Sequence, residues 1–174
     1  MNKDFDKRLF IEQLEKIVDN QNVIKTKWRM ESYCKGWRYG EGEAVAVAKP
    51  SSLLQIWKIL QVCVDNNIIV IMQAANTGLT GGSTPYGYDY DRPILVVNTM
   101  LIDDIHIIND GKQIVGFPGS TLFGLESKLA HYNREPHSAI RSTFRFNSNN
   151  FGIKLGPRLS ITTKVSLQYF LAAS

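Results

Sequence analysis

Gln73-Ala74-Ala75-Asn76-Thr77-Gly78-Leu79-Thr80-Gly81-Gly82-Ser83-Thr84-Pro85 follows an apolar, β-branched run, Ile68 to Met72, and its reading decides the rest. The run has the make-up of a strand covered on both faces. The segment after it holds three glycines within five positions. Glycine adopts positive φ without steric penalty, so such a turn can aim several amide N–H groups into one concavity that receives an anion. Asn76, Thr77, Thr80, Ser83 and Thr84 add short polar side chains, and no charged residue lies between Ile68 and Tyr88. A phosphate gripped by this segment alone is therefore gripped by amides and hydroxyls, without a lysine. A plain surface loop of turn residues has the same composition. The residues by themselves leave the two readings open.

Upstream, Ala44 to Lys49 reads as a strand stopped by Pro50. Ser52-Leu53-Leu54-Gln55 matches a capping box at the start of a helix. Leu53, Leu54, Trp57, Leu60 and Val64 are the expected buried stripe of that helix, and Asn66-Asn67 its end. Residues 44–72 then form a strand–helix–strand unit with the glycine loop leaving its second strand. Ligands of such sheets bind beyond the carboxyl ends of the strands. Before this unit, Asp6 to Asn20 reads as a helix with Phe10, Leu14, Ile17 and Val18 on one face. Gln21 to Gly42 reads as irregular, and its Trp28, Tyr33, Trp37 and Tyr39 are expected to pack where the chain enters the core.

Downstream, Ile94 to Asn98 is a third strand. His106 to Ile108 and Gln113 to Gly116 make a hairpin around Asn109-Asp110-Gly111, residues that tolerate positive φ. Thr121 to Ala130 is a short helix burying Leu122, Leu125 and Leu129. The fold class expected is α/β (α+β), with a short mixed sheet.

Composition excludes several functions. The chain has 174 residues, 44% apolar and 21% charged, ordinary for a globular protein. Its net charge of +4 arises in residues 141–174, which hold Arg141, Arg145, Lys154, Arg158 and Lys164 and no acid. Charges so widely spaced make a poor nucleic-acid surface, and none is expected as partner. No apolar run is long enough to span a bilayer, and the first residues lack a signal-peptide core. Cys34 and Cys63 have no metal-type spacing and suit a reducing compartment. His106, His131 and His137 are scattered, so no metal site is expected. Asp103 and Asp104 are adjacent and should point apart. The loop has neither the lysine of a Walker phosphate loop nor the Rossmann glycine spacing, and no Ser/His/acid set stands out.

Several separated motifs carry a resemblance. Met72 to Thr80 with Gly82-Ser83-Thr84-Pro85 resembles the flavin-binding loop of bacterial quinone-dependent D-lactate dehydrogenases. Lys35-Gly36, Arg38-Tyr39-Gly40, Asp89-Tyr90-Asp91-Arg92, Gly119-Ser120-Thr121-Leu122 and Arg134-Glu135-Pro136-His137-Ser138 resemble the same family. The likeness runs over about residues 8 to 140. It implies the first half of a PCMH-type FAD-binding domain, as in the vanillyl-alcohol-oxidase flavoproteins. A lead-in over 1–43, the partial domain over 44–140 and a divergent basic tail over 141–174 are expected. The loop's role in the family, wrapping the FAD pyrophosphate, carries over to Ala74, Ala75, Asn76, Thr77, Gly78, Gly82 and Ser83. Gly81 departs from an acidic residue. Residues 73–85 contain no His or Cys, so the FAD is expected to be non-covalent. The family oxidises D-lactate to pyruvate and passes electrons to quinone from the cytoplasmic face of the inner membrane. Past Ile140 the likeness stops, as a frameshift or interruption would make it. The second flavin segment and the substrate-binding residues are then missing, and the chain is expected to be inactive alone. The alternative is a non-enzymatic nucleotide- or flavin-binding module with a partner-binding tail.

Overall fold

The computed structural model describes residues 5–133. They fall into two compact units, one ending at Ile102 and one beginning at Asp103. The Arg134 to Ser138 motif, His137 and the basic tail lie outside the described residues.

The first unit begins with helix α1, Lys7–Val18, capped by the Asp6 carboxylate, which accepts from the Arg8 and Leu9 amides. Phe10, Leu14 and Val18 are fully buried, one turn apart, as the periodicity requires. The stretch expected to be irregular contains a single 3₁₀ turn, strand β1 (Val23–Ile24) and helix α2 (Lys27–Cys34). Helix α2 buries only Met30 and Cys34. One apolar pair four residues apart is too little periodicity to announce a helix. Trp28, Trp37 and Tyr39 are exposed, contrary to the packing expected of them.

Strand β2 (Ala46–Ala48) leads to helix α3 (Leu53–Asp65) and strand β3 (Ile69–Gln73). Strand β4, Ile94–Asn98, inserts between β2 and β3 and is parallel to both, while β1 is antiparallel to β2. The sheet order is therefore β1-β2-β4-β3. The alternation of side chains along each strand divides the core. Ala46, Ala48, Leu95 and Val97 pack with Phe10, Leu14, Ile59 and Cys63 of α1 and α3. Val47 and Val96 face the other way, onto Ile24, Met30 and Cys34.

Three expectations are corrected here. Burial on both faces belongs to β4, whose five residues are all buried; β3 is an edge strand, half-buried until Gln73. The buried stripe of α3 is Ile56, Ile59 and Cys63, whereas Leu53, Leu54, Trp57 and Val64 are exposed. The capping box is also half-formed: the Ser52 hydroxyl accepts from the Gln55 amide. The Gln55 side chain accepts from the amide and hydroxyl of Ser51, not from the amide of Ser52.

The second unit has an antiparallel hairpin, β5 (Ile105–Ile108) and β6 (Gln113–Gly116), and helix α4 (Leu122–Ala130). Asn109, Asp110 and Gly111 take φ of 52°, 52° and 81°, the left-handed turn expected of them. Helix α4 is capped by Thr121 and fully buries Leu129; Leu122 and Leu125 are half-buried. His106 stacks edge-on against Phe117. Asp103, Asp104 and His131 are exposed.

Candidate functional site

The site lies at the carboxyl edge of the parallel strands. Polar residues end two of them: Gln73 and Asn98, register partners and both buried. The Gln73 amide donates to the Tyr33 and Ser83 carbonyls, both at 2.8 Å, and its carbonyl oxygen accepts from the Asn98 amide at 3.3 Å. The Asn98 amide also donates to the Ala74 carbonyl at 2.9 Å. The Thr99 amide closes the arrangement on the Gln73 backbone carbonyl at 2.8 Å. The glycine loop is thus tied at both its ends by two buried amide side chains. No buried side-chain nitrogen or oxygen lacks a partner among the described residues. Gln73 and Asn98 escaped the sequence reading as site residues. Their signal was a polar residue ending an apolar strand, in register with its like.

Asn76 holds the loop to the strip before β2. Its φ is 54°, a left-handed conformation that asparagine tolerates. Its amide donates to the Lys35 carbonyl at 2.8 Å and its carbonyl accepts from the Ser83 hydroxyl at 2.9 Å. Asn76 and Ser83 therefore spend their side chains on loop shape. Thr84 is buried and donates to the Gly81 carbonyl. The loop packs on residues 36–42, where glycine is obligatory. Gly40 has φ of 89°, and a Cβ there meets the Thr84 hydroxyl at 2.0 Å; a Cβ on Gly42 meets the Gly87 carbonyl at 2.6 Å.

The loop glycines differ from the expectation. Only Gly81, at φ 76°, uses the left-handed region; Gly78 and Gly82 do not. A Cβ at Gly82 meets nothing within 4 Å. Thr77, Gly78 and Gly82 are exposed. Along the whole segment from Ala74 to Ser83, no backbone N–H finds an acceptor among the described residues. Neither crowding nor backbone strain calls for glycine at Gly82.

Ala74, Ala75 and Asn76 line a depression of about 290 Å³ together with Ser32, Tyr33, Lys49, Gln73, Asn98 and Met100. Thr77, Gly78, Gly82 and Ser83 lie outside that lining. This volume sits at the small end of ligand pockets. It has room for a phosphate group or two. Lys49, Ser32, Tyr33 and Met100 were not picked out from the sequence. The two thiols are both buried and unpaired, and burial pushes Cys34 up and Cys63 up to about 12.

No family model matches the chain. It is 52% identical over 133 residues to the quinone-dependent D-lactate dehydrogenase of Haemophilus influenzae, covering 76% of this chain and 24% of that protein. It is 40% identical over 168 residues to the enzyme of the same name from Escherichia coli, covering 93% and 29%. The Corynebacterium glutamicum enzyme is 46% identical over 133 residues, 76% and 23%. Among solved structures, alkyldihydroxyacetonephosphate synthase superposes with a TM-score of 0.63 at 12% identity, over 71% of this chain and 25% of that one. p-Cresol methylhydroxylase with substrate bound superposes with a TM-score of 0.59 at 13% identity, over 72% and 25%. The chain spans about a quarter of the length of its curated relatives. The motifs spread along the sequence, the strand order and these likenesses agree: over about a quarter of their length the chain is similar to the quinone-dependent D-lactate dehydrogenases, and its fold is that of part of a PCMH-type FAD-binding domain.

Proposed function

We propose that this chain is the FAD-binding portion of a D-lactate dehydrogenase and grips the FAD diphosphate at the carboxyl edge of its parallel sheet. The single observation behind this is the run of N–H groups from Ala74 to Ser83 left without acceptors among the described residues. Buried amides at Gln73 and Asn98 hold that run in place. Ala74, Ala75, Asn76, Thr77, Gly78, Gly82 and Ser83 are its members. They contribute main-chain donors, while the side chains of Asn76 and Ser83 hold the loop's shape. Gly82, where a Cβ would meet only open space, leaves room for close approach of the ligand. In this reading the domain spans residues 44–140, and residues 1–43 are a lead-in whose α1 and β1 join the same core and sheet. With no His or Cys in residues 73–85, attachment is non-covalent.

When bound, FAD supplies the acceptor for the two electrons that leave D-lactate as it becomes pyruvate, for onward transfer to quinone. The chain's own part is to bind and orient the cofactor. The reaction belongs to the family's whole length, and the residues that hold lactate are not assigned in this chain. No helix among the described residues is long and apolar enough to cross a membrane. A place at the cytoplasmic face of the inner membrane is part of the same proposal.

The test is to purify the chain and measure flavin. A yellow protein with FAD at about one per chain, and no lactate-dependent dye reduction, is the expected result. A colourless chain that does not take up added FAD overturns the proposal. Rapid turnover with lactate removes its statement that the chain is inactive alone.

A further inference from the structure

We propose that Lys49 is a phosphate-binding residue of the depression at the carboxyl edge of the sheet, meeting an anion also held by the Ala74 to Asn76 amides. The anion's identity as the FAD diphosphate rests on the function proposed above; the anion's charge does not.

Lys49 follows β2 directly and its backbone is pinned. Its amide donates to the Asn22 carbonyl at 2.9 Å, and the next residue, Pro50, is fully buried. A following proline restricts a residue to extended backbone. Strand alternation then sends the Lys49 side chain to the same sheet face as Val47, the face on which α2 packs. The depression agrees, because Ser32 and Tyr33 of α2 line it beside Lys49.

This lysine is half-buried, and among the described residues its ammonium has neither an ion pair nor a hydrogen bond. Removing a charge from water is costly unless something answers it. The obvious internal answer is the carboxyl end of α2, whose carbonyls favour a cation. Two of those carbonyls are already engaged, Tyr33 by the Gln73 amide and Ser32 by the Asn76 amide. No Asp or Glu lines the depression. What remains is a cation and unengaged amides lining one depression, a setting complementary to an anion with several oxygens. The loop itself holds no charge, so the charge arrives from the end of a different strand. That is why reading the loop alone missed it.

The test is calorimetric titration of the full chain and of Lys49→Met and Lys49→Arg with FAD, riboflavin and inorganic pyrophosphate, at low and moderate salt. The expected result is that Lys49→Met weakens FAD and pyrophosphate by about tenfold or more, as loss of one charge-assisted hydrogen bond does. Riboflavin, which has no phosphate, is unaffected. The salt dependence for pyrophosphate becomes shallower and Lys49→Arg restores most of the affinity. If native chain and Lys49→Met bind FAD alike, the Lys49 inference falls and the FAD reading stands. If pyrophosphate binds through Lys49 but FAD does not bind, the FAD reading falls and Lys49 stands. Binding of neither by the native chain overturns both. Should Lys49→Met fail to fold, the Lys49 13Cε resonance of the native chain decides: a shift on adding pyrophosphate supports the inference, no shift overturns it.

Discussion

Gly40 and Gly82 are both glycines of the site, and they answer to different constraints. Gly40 sits at φ 89° with the buried Thr84 hydroxyl where its Cβ would be. Gly82 has ordinary backbone and open space. Gly40→Ala is expected to cost about 2–4 kcal/mol, overpacking and left-handed strain together. Gly82→Ala should leave stability within about 0.5 kcal/mol, as at an unconstrained surface position. Its effect should fall on FAD instead, with affinity reduced because the new methyl stands in the ligand's approach. Urea unfolding and FAD titration of the two variants separate the roles; equal destabilisation by both contradicts this account. Asn76→Ala removes the bonds to Lys35 and Ser83 and puts alanine at positive φ, so about 1–3 kcal/mol of stability should be lost. A loop shape held by Asn76 predicts that FAD affinity falls with it. Among these residues, the loop's place and its uncharged character were legible in the sequence. Which glycine serves which purpose is not, because that depends on how the loop's Thr84 meets Gly40 and how Tyr39, distant in sequence, meets Gly81.

At the level of elements, α3 shows where periodicity misleads. Leu53, Trp57, Leu60 and Val64 fall on one helical face as well as Ile56, Ile59 and Cys63 fall on another. Both are apolar, so the pattern alone cannot say which face meets the sheet. The structure turns Ile59 and Cys63 inward onto Leu95 and Val97. Ile59→Ala should therefore destabilise by about 2–5 kcal/mol, while Trp57→Lys changes stability little. By contrast β4 is legible with its true bounds, because a continuous apolar run between turn residues has one good explanation. Helix α2 is not legible in the sequence because it offers the core only Met30 and Cys34. Cys63 adds a pH signature. Burial raises its thiol from the ordinary 9.0 to about 12 in the folded chain. Above pH 9 the unfolded thiol loses its proton while the folded one keeps it, so the unfolded state binds fewer protons and stability falls as pH rises. The contribution is complete below about pH 9 and is lost progressively up to about pH 12. Denaturation of native chain and Cys63→Ala across pH 8–11 should show a shallower decline in the variant; parallel curves would contradict the assignment.

The whole molecule presents two features that a self-contained α/β domain usually covers. One margin of its parallel sheet is β3, a half-buried strand with no further partner among the described residues. The outward face of α3 carries Leu53, Leu54, Trp57 and Val64 exposed. Unpaired edges and contiguous apolar surface both promote association between copies. The chain also spans about a quarter of the length of its curated relatives, so further sequence exists in those relatives that this chain does not match. Taken together these predict that the purified chain self-associates with rising concentration and melts broadly. Sedimentation velocity over a wide concentration range measures this directly. Trp57→Lys combined with Val64→Glu should shift the distribution toward monomer without lowering the unfolding midpoint, because neither side chain belongs to the core. Persistence of association in that double variant would move the responsibility to the β3 margin. A native chain that stays monomeric throughout and melts in one sharp transition would show that neither surface is adhesive.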